Sequence, residues 1–307
     1  MTIGIAASGP GAGRAILGAL ARAEAVGTGA IGGFASFACI GPQGLWRCGI
    51  QRGGARALLA RGLPEEALEA PRAVLMSSGP DRPEPLAQFT PGDAAAGLVT
   101  GHRFPNLRGG AGSSPAEAAL EAMRAGIGPA EAAELAAAAD PDADAGIVCL
   151  GLDGRIGMAN ARHVAAFPGL GQALQAQGGA RAGVLCNGIA HGALLAPLIA
   201  EMALAALVPP QVAGTVLLQR GLPVLRGSWS ELRLGPQMQP EALVLSASLP
   251  SGGRWSAGYG PQARLTRDGL TVGRLLDEPF LTGEDGRVES FDGRECLPVR
   301  YVAPDPA

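Results

Sequence analysis

Residues 4–9 read Gly-Ile-Ala-Ala-Ser-Gly, and two later stretches, 97–102 (Gly-Leu-Val-Thr-Gly-His) and 183–188 (Gly-Val-Leu-Cys-Asn-Gly), have the same form. Each is a short apolar run that ends at a small polar residue beside glycine. Each leads into an Ala-rich stretch typical of a helix and then into apolar segments around a glycine-containing turn, which are typical of a hairpin. The repetition predicts a single domain of three related strand–helix–hairpin segments. Their bounds are 1–92, 93–182 and 183–307.

The sequence between these stretches predicts further elements. Residues 14–26 and 115–125 have helical composition, and the second of these stretches carries a predicted N-terminal cap at Ser114. Segment 77–93 is rich in proline, glycine and charge and is the predicted linker. A hairpin is expected between residues 214 and 227, followed by β-like runs to the end. Helices beside strands predict a layered α/β fold, either an α+β sandwich or a pseudo-threefold repeat.

Composition excludes several classes of function. All 24 basic residues are arginine, against 27 acidic residues, for a net charge of −3. Without lysine there is no Schiff-base enzyme, no phosphate-binding P-loop and no Ser-Lys dyad. The absence of a basic patch argues against a nucleic-acid partner, and no apolar run is long enough to predict a membrane partner. The remaining partner is a small-molecule substrate, and the low charge is compatible with a homo-oligomer.

The cysteines and histidines predict neither a cofactor nor a metal site. The five cysteines form no CxxC pair, and the three histidines lack the spacing of known metal-binding motifs. Reduced thiols and a first segment unlike a secretion signal predict a cytoplasmic protein.

Two candidate nucleophiles are threonines. Removal of Met1 would leave Thr2 with a free α-amino group beside its hydroxyl, and such an amine can serve as the general base near neutral pH. Thr100 is followed by His102, Arg103 and Asn106, which supply a base, an anion-binding guanidinium and an amide donor within seven residues.

The third candidate nucleophile is Cys186, with Asn187 beside it and His191 five residues on, where a nearby helix start would lower the thiol pKa. Ser8 holds the equivalent place in the first segment, where backbone N–H groups could bind an anion. The remaining polar residues expected near a central cleft close the second hairpin: Asn160, Arg162 and His163.

Two stretches resemble N-terminal nucleophile (Ntn) amidohydrolases. Residues 4–37 resemble the start of gamma-glutamyltransferase-type enzymes, and residues 125–161 resemble uncharacterised proteins of the same clan. Gly109 to Gly112 is similar to the Gly-rich loop of plant-type asparaginases. The resemblance implies an αββα fold and a Thr, Ser or Cys nucleophile that becomes a chain terminus and begins a strand, without assigning it here. The three-segment pattern also resembles ring-opening amidohydrolases of the cyanuric acid and barbiturate type in architecture.

These observations lead to two hypotheses. The first is a hydrolase of a C–N bond in a small, anionic amide or cyclic amide, with Ser8, Thr100 and Cys186 converging in one pocket and Arg103 orienting the substrate. The second is a non-catalytic small-molecule-binding or assembly protein on the same scaffold. A nucleophile paired with a base distinguishes the first from the second.

Overall fold

The first of the three stretches forms strand β1, Thr2–Ser8, all seven residues of which are buried. A strand that is apolar on both faces belongs between two packed layers, and β1 lies inside such a stack. The structure is a computed structural model, and it describes residues 2–26, 31–109, 112–188, 192–245, 254–256, 263–277 and 279–304. The chain divides into two compact units, Met1–Pro209 and Pro210–Ala307.

The first unit alternates strands with helices. In chain order its elements are β1, α1 (Ala12–Val26), β2 (Phe34–Gly41), β3 (Gly44–Ile50), α2 (Gly54–Ala60), α3 (Glu65–Leu68), β4 (Arg72–Ser78), a 3₁₀ turn (Leu86–Phe89), β5 (Gly92–Asp93), β6 (Gly97–Arg103), α4 (Pro115–Arg124), α5 (Pro129–Ala139), β7 (Ala145–Gly151), β8 (Ile156–Asn160), α6 (Arg162–Ala165), β9 (Gly171–Gln177), β10 (Ala180–Asn187) and α7 (Gly192–Leu207).

Two antiparallel sheets form the centre of this unit. Six strands have the order β3-β2-β4-β1-β10-β9, and four have the order β5-β6-β7-β8. An apolar cluster that includes Ala6, Val148 and Leu185 draws residues from both sheets, so the two sheets pack face to face. The other face of the six-stranded sheet packs on α1 and α7, and the other face of the four-stranded sheet packs on α4 and α5. The layers therefore run helix, sheet, sheet, helix.

The second unit consists of short strands. They are β11 (Gly214–Gln219), β12 (Val224–Arg226), β13 (Glu231–Leu234), β14 (Pro240–Leu245), β15 (Arg254–Ser256), β16 (Arg264–Arg267), β17 (Leu270–Leu275), β18 (Phe280–Glu284), β19 (Arg287–Ser290) and β20 (Cys296–Val302). Seven form one sheet, in the order β11-β20-β17-β16-β13-β14-β12, and three form another, β15-β18-β19. Leu232, Leu265 and Val299 belong to the core of this unit.

The predicted mixture of helices and sheets is confirmed as an α+β fold, but two local predictions are wrong. Segment 77–93 is no linker, because it begins at the end of β4, contains the 3₁₀ turn and ends in β5, all inside the first unit. No hairpin spans 214–227 either: β11 pairs with β20, and β12 pairs in parallel with β14. The backbone N–H of Gly221 in the intervening turn donates to the carbonyl of Val288.

The division between the units also differs from the predicted segments. The boundary between Pro209 and Pro210 lies inside the predicted segment 183–307, while 1–92 and 93–182 both lie in the first unit. The strands β1 and β10, which begin the first and third segments, are antiparallel neighbours in one sheet, and β6 of the second segment lies in the other.

Candidate functional site

Glycine allows β1 to approach the second sheet closely. A Cβ atom added at Gly4 would lie 2.5 Å from the carbonyl oxygen of Gly101 in β6, so neither strand could keep its position with a larger residue there. Two residues before Gly4, the side chain of Thr2 points into the space between the sheets. Its hydroxyl oxygen accepts a hydrogen bond of 2.8 Å from the backbone N–H of Arg103, and Thr2 is only 4% exposed.

Arg103 turns the chain at the end of β6. Its φ of 66° lies in the left-handed region, which costs free energy for a residue with a Cβ and is often found at functional sites. The turn directs its N–H to Thr2 and its guanidinium to Asp144, to which Nε and Nη2 donate two hydrogen bonds. The ring of Phe167 lies 4.7 Å from the guanidinium carbon. Arg103 and Asp144 are partly exposed, so the site reaches solvent at this ion pair.

Asn187 completes the group around Thr2. It ends β10 and is the antiparallel partner of Thr2, and both side chains lie on the sheet face that packs against β6. Its Oδ1 accepts a hydrogen bond of 3.0 Å from Nη1 of Arg103. This bond orients the side-chain amide, because the oxygen faces Arg103 and the NH₂ group lies on the other side. The site thus combines a hydroxyl, a backbone N–H, a guanidinium and an amide.

Fully buried His102 pairs with half-buried Asn160 behind this group. Nε2 of His102 lies 2.7 Å from Oδ1 of Asn160, across a gap kept open by Gly146, where a Cβ would collide with both side chains. Burial lowers the pKa of His102 to about 4, with the positive charge of Arg103 adding to the effect and the Asn160 hydrogen bond opposing it. His102 is therefore neutral at pH 7. Its Nδ1 is buried without a hydrogen-bond partner among the described residues.

Ser78 and Arg82 approach Thr2 from β4. Ser78 is the other antiparallel neighbour of Thr2 in the sheet. Its hydroxyl donates to the carbonyl of Pro80 at 3.0 Å and accepts from Nε of Arg82 at 3.1 Å. Burial lowers the pKa of Arg82, whose environment also includes the charges of Asp144 and Arg103. Neither Ser78 nor Arg82 was expected from the sequence.

Thr100 and Asn106 lie near the site without joining the group around Thr2. The hydroxyl of Thr100 is fully buried and donates to the carbonyl of Phe89 at 3.4 Å. Asn106 donates from Nδ2 to Gln88 at 2.8 Å. The Thr100 hydroxyl is therefore bonded to a backbone carbonyl and not to a general base. His102, the base expected for it, is paired with Asn160.

The other two segment openings do not meet at Thr2, so the expected convergence in one pocket is wrong. Cys186 lies on the opposite sheet face, in the core under α1 and α7, and burial raises its thiol pKa to about 12. Ser8 is at the far end of β1, opposite Arg181 of β10 and about 20 Å from Thr2 at the usual rise per residue. A cleft of about 410 Å³ at that end is lined by Arg181, Arg155 and Pro129 among others.

The last three predicted residues divide between surface and site. Arg162 forms an exposed ion pair with Asp142 on the surface. The ring of His163 packs edge-on against Phe167, 4.9 Å between centroids, and so touches the ring beneath Arg103. His191 lies outside the described residues.

Neither Asp144 nor Arg82 was among the predicted site residues. Asp144 directly precedes β7, whose first residue, Ala145, is the partner of Arg103 in the sheet. A carboxylate beside a strand that pairs with an arginine-bearing strand is the signal that could have found it. Arg82 carries no such signal, because its place depends on the path of the loop after β4.

The fold and the site define an α+β protein with a hydroxyl nucleophile candidate between two sheets. The chain belongs to the family described as a domain of unknown function, DUF6963, whose model matches residues 2–215. No curated protein and no solved structure matches the chain. Among the helices of the described ranges, none combines the length and apolar character that crossing a bilayer requires. Within the same ranges, no three His, Cys, Asp or Glu residues are grouped to hold a metal ion.

Proposed function

We propose that this protein is an amidohydrolase that cleaves a C–N bond of a small anionic amide with Thr2 as the nucleophile. The observation that carries the proposal is the place of the Thr2 hydroxyl, at the start of a central strand, between two sheets, and bonded to the N–H of Arg103. The helix–sheet–sheet–helix layers and this placement support the resemblance to Ntn amidohydrolases. In that class the nucleophile begins a strand.

The mechanism requires cleavage of the peptide bond between Met1 and Thr2. The freed α-amine of Thr2 accepts the proton of its own hydroxyl, directly or through a water molecule, and Oγ1 attacks the carbonyl carbon of the amide. The N–H of Arg103 stabilises the negative charge that develops on Oγ1. An α-amine has an ordinary pKa of about 7.7–8.0, so about a tenth or more of it is unprotonated and able to act as a base at pH 7.

The tetrahedral intermediate then collapses. The C–N bond breaks, the leaving nitrogen takes the proton from the α-ammonium, and an ester remains on Thr2. The NH₂ group of Asn187, oriented by its bond to Arg103, is the proposed donor to the oxyanion. Water, deprotonated by the same amine, hydrolyses the ester and regenerates the hydroxyl. The guanidinium of Arg103, held by Asp144, contributes positive charge that favours an anionic substrate.

Labelling tests the nucleophile without knowledge of the natural substrate. A β-lactone acylates an activated threonine hydroxyl, so we expect a stable adduct on the peptide that begins with Thr2. Thr2→Ala should abolish the adduct and Thr2→Ser should retain it. Thr215→Ala, which changes an exposed threonine of β11, should label like the natural chain. Mass spectrometry of the intact protein and its N-terminal peptide reads both the adduct and the loss of Met1.

Activity is measured with two matched substrates, succinyl p-nitroanilide and butyryl p-nitroanilide. The succinyl compound has a carboxylate where the butyryl compound has a methyl group. We expect the natural chain to release p-nitroaniline from the succinyl compound, and we expect the rate of release to fall by a factor of about 10³ or more in Thr2→Ala. An intact Met1 in fully active protein, or undiminished activity in Thr2→Ala, would contradict the proposal. Ligand binding with no labelling and no hydrolysis would instead support the binding-protein hypothesis.

A further inference from the structure

We propose that Arg82 binds a carboxylate of the ligand at the Thr2 site, and that the substrate is a monoamide of a short dicarboxylic acid. The inference rests on the proposed function for the identity of the reacting bond. The anion site itself stands on the geometry and charge of Arg82.

Arg82 is held in place on several sides. The side chain of Gln51 holds the backbone of Arg82 with two hydrogen bonds. The Arg82 N–H donates to Oε1 of Gln51 at 3.0 Å, and Nε2 of Gln51 donates to the Arg82 carbonyl at 2.6 Å. The guanidinium carbon lies 4.4 Å from the ring centroid of Phe104 and 6.0 Å from that of Phe89. The side chain is therefore fixed before any ligand arrives, which lowers the entropy cost of binding.

The positive charge of Arg82 is buried without an ion pair. Arg82 is only 8% exposed, and no carboxylate of the described residues lies within 4.0 Å of its guanidinium. Asp144 is the carboxylate in its surroundings, and Asp144 already forms two hydrogen bonds with Arg103. His102 is neutral. The carboxylate of Asp144 is therefore taken up by Arg103, and Arg82 feels its charge only from beyond ion-pair distance.

An unpaired buried charge is costly, and a ligand carboxylate would remove that cost. Taking a guanidinium out of water without a partner is unfavourable, and charged groups with pKa values perturbed in this way cluster at functional sites. A guanidinium also matches a carboxylate geometrically, since two parallel N–H groups can reach its two oxygens.

The distance from Arg82 to Thr2 limits the length of the ligand. Thr2 and Ser78 are cross-strand neighbours on one sheet face, so their Cβ atoms lie about 5 Å apart. Because Nε of Arg82 is 3.1 Å from the Ser78 hydroxyl, and each hydroxyl oxygen is one bond from its Cβ, Nε lies within about 11 Å of the Thr2 hydroxyl. A carboxylate at about 2.8 Å from the guanidinium and a reacting carbonyl carbon at about 3 Å from Oγ1 leave at most about 5 Å between them, which a chain of two methylene groups spans.

Binding of succinamate by isothermal titration calorimetry tests this inference, with butyramide as the uncharged match. We expect succinamate to bind Thr2→Ala, which cannot consume it, and butyramide to bind at least about 30-fold more weakly. Adding Arg82→Met to that chain should weaken succinamate binding by about 30-fold or more, and Arg82→Lys should restore part of the loss. Arg52→Met is the matched control, because Arg52 is exposed and pairs with Asp81.

Equal succinamate affinity in the Thr2→Ala chains that carry Arg82→Met or Arg52→Met would overturn the inference, as would a Thr2→Ala chain that does not bind succinamate. Near-UV circular dichroism checks folding, and Arg82→Lys supplies the comparison if Arg82→Met is unfolded. The two proposals fail separately. The proposed function is tested by β-lactone labelling of Thr2, whereas the anion site is tested by succinamate binding alone. A chain that binds succinamate through Arg82 but labels without Thr2 contradicts only the proposed function.

Discussion

Burial controls the chemistry of single residues at this site. His102 lies between the two sheets with its pKa lowered to about 4, whereas the histidine of an unfolded chain titrates near 6.5. The thiol of Cys186 has its pKa raised to about 12 for the same reason, burial of the charged form. Neither group is therefore charged at neutral pH, and the α-amine of Thr2 is left as the base of the proposed mechanism.

The lowered pKa of His102 predicts a pH dependence of stability. As the pH falls, the unfolded chain binds a proton at this histidine near pH 6.5, but the folded chain does so only near pH 4. The contribution is thus fully present above pH 6.5 and lost as the pH falls to 4. Between pH 6.5 and 4 we expect the free energy of unfolding of the natural chain to fall by about 3 kcal/mol more than that of His102→Gln.

Urea denaturation at a series of pH values measures this difference. His163→Gln is the control, since His163 is exposed on α6 and its removal should leave the pH dependence of the natural chain. Parallel curves for His102→Gln and the natural chain between pH 6.5 and 4 would contradict the assigned burial of the charge.

At the scale of elements, the contact of β1 with β6 positions the site. Residue 4 must be glycine for the two backbones to meet, and residue 101 must be glycine because a Cβ there would collide with the carbonyl of Gly146 in β7. The same contact brings Thr2 to Arg103. A change in the separation of the sheets should therefore alter the position of the Thr2 hydroxyl.

Gly4→Ala is expected to destabilise the fold and to impair the site together. The added methyl group would lie 2.5 Å from the Gly101 oxygen, and overpacking of this kind costs about 1–3 kcal/mol. We expect weaker β-lactone labelling of Thr2 in the folded variant. Gly18→Ala is the matched control, because Gly18 lies on the exposed face of α1 with open space around it, and alanine there should add about 0.5–1 kcal/mol of stability. Urea denaturation gives both values, and a Gly4→Ala chain as stable as the natural one would refute the packing argument.

Elements with local signals could be predicted from the sequence. Helix α4 begins at the expected cap, where Ser114 and Glu117 bond each other's backbone N–H groups, and the hairpins β2–β3 and β7–β8 form at their glycine turns. The turn before Pro223 looked the same in sequence but joins strands with distant partners. Local chemistry specifies a turn, while the choice of a partner about 80 residues away depends on packing.

At the scale of the whole molecule, the site depends on three chain segments that meet only after folding. Thr2, Arg103 and Asn187 were each predicted as functional residues, but as separate candidates and not as one group. Their assembly follows from the pairing of β1 with β10 and the packing of β6 across β1, neither of which has a local signal. Arg82 was not predicted as a site residue because its segment has the composition of a linker. Its burial is a tertiary property.

The first unit should fold and carry the site by itself. A chain that ends at Pro209 keeps the clusters on both faces of both sheets and every residue of the Thr2 site, and the core of the second unit is formed by other residues. About 200 residues are enough to bury a stable core. We expect cooperative unfolding in urea, followed by circular dichroism, and β-lactone labelling of Thr2 at the rate of the full chain. A shortened chain without a cooperative transition would show that the two units are not independent. A folded but unlabelled one would show that residues after Pro209 are needed for the chemistry at Thr2.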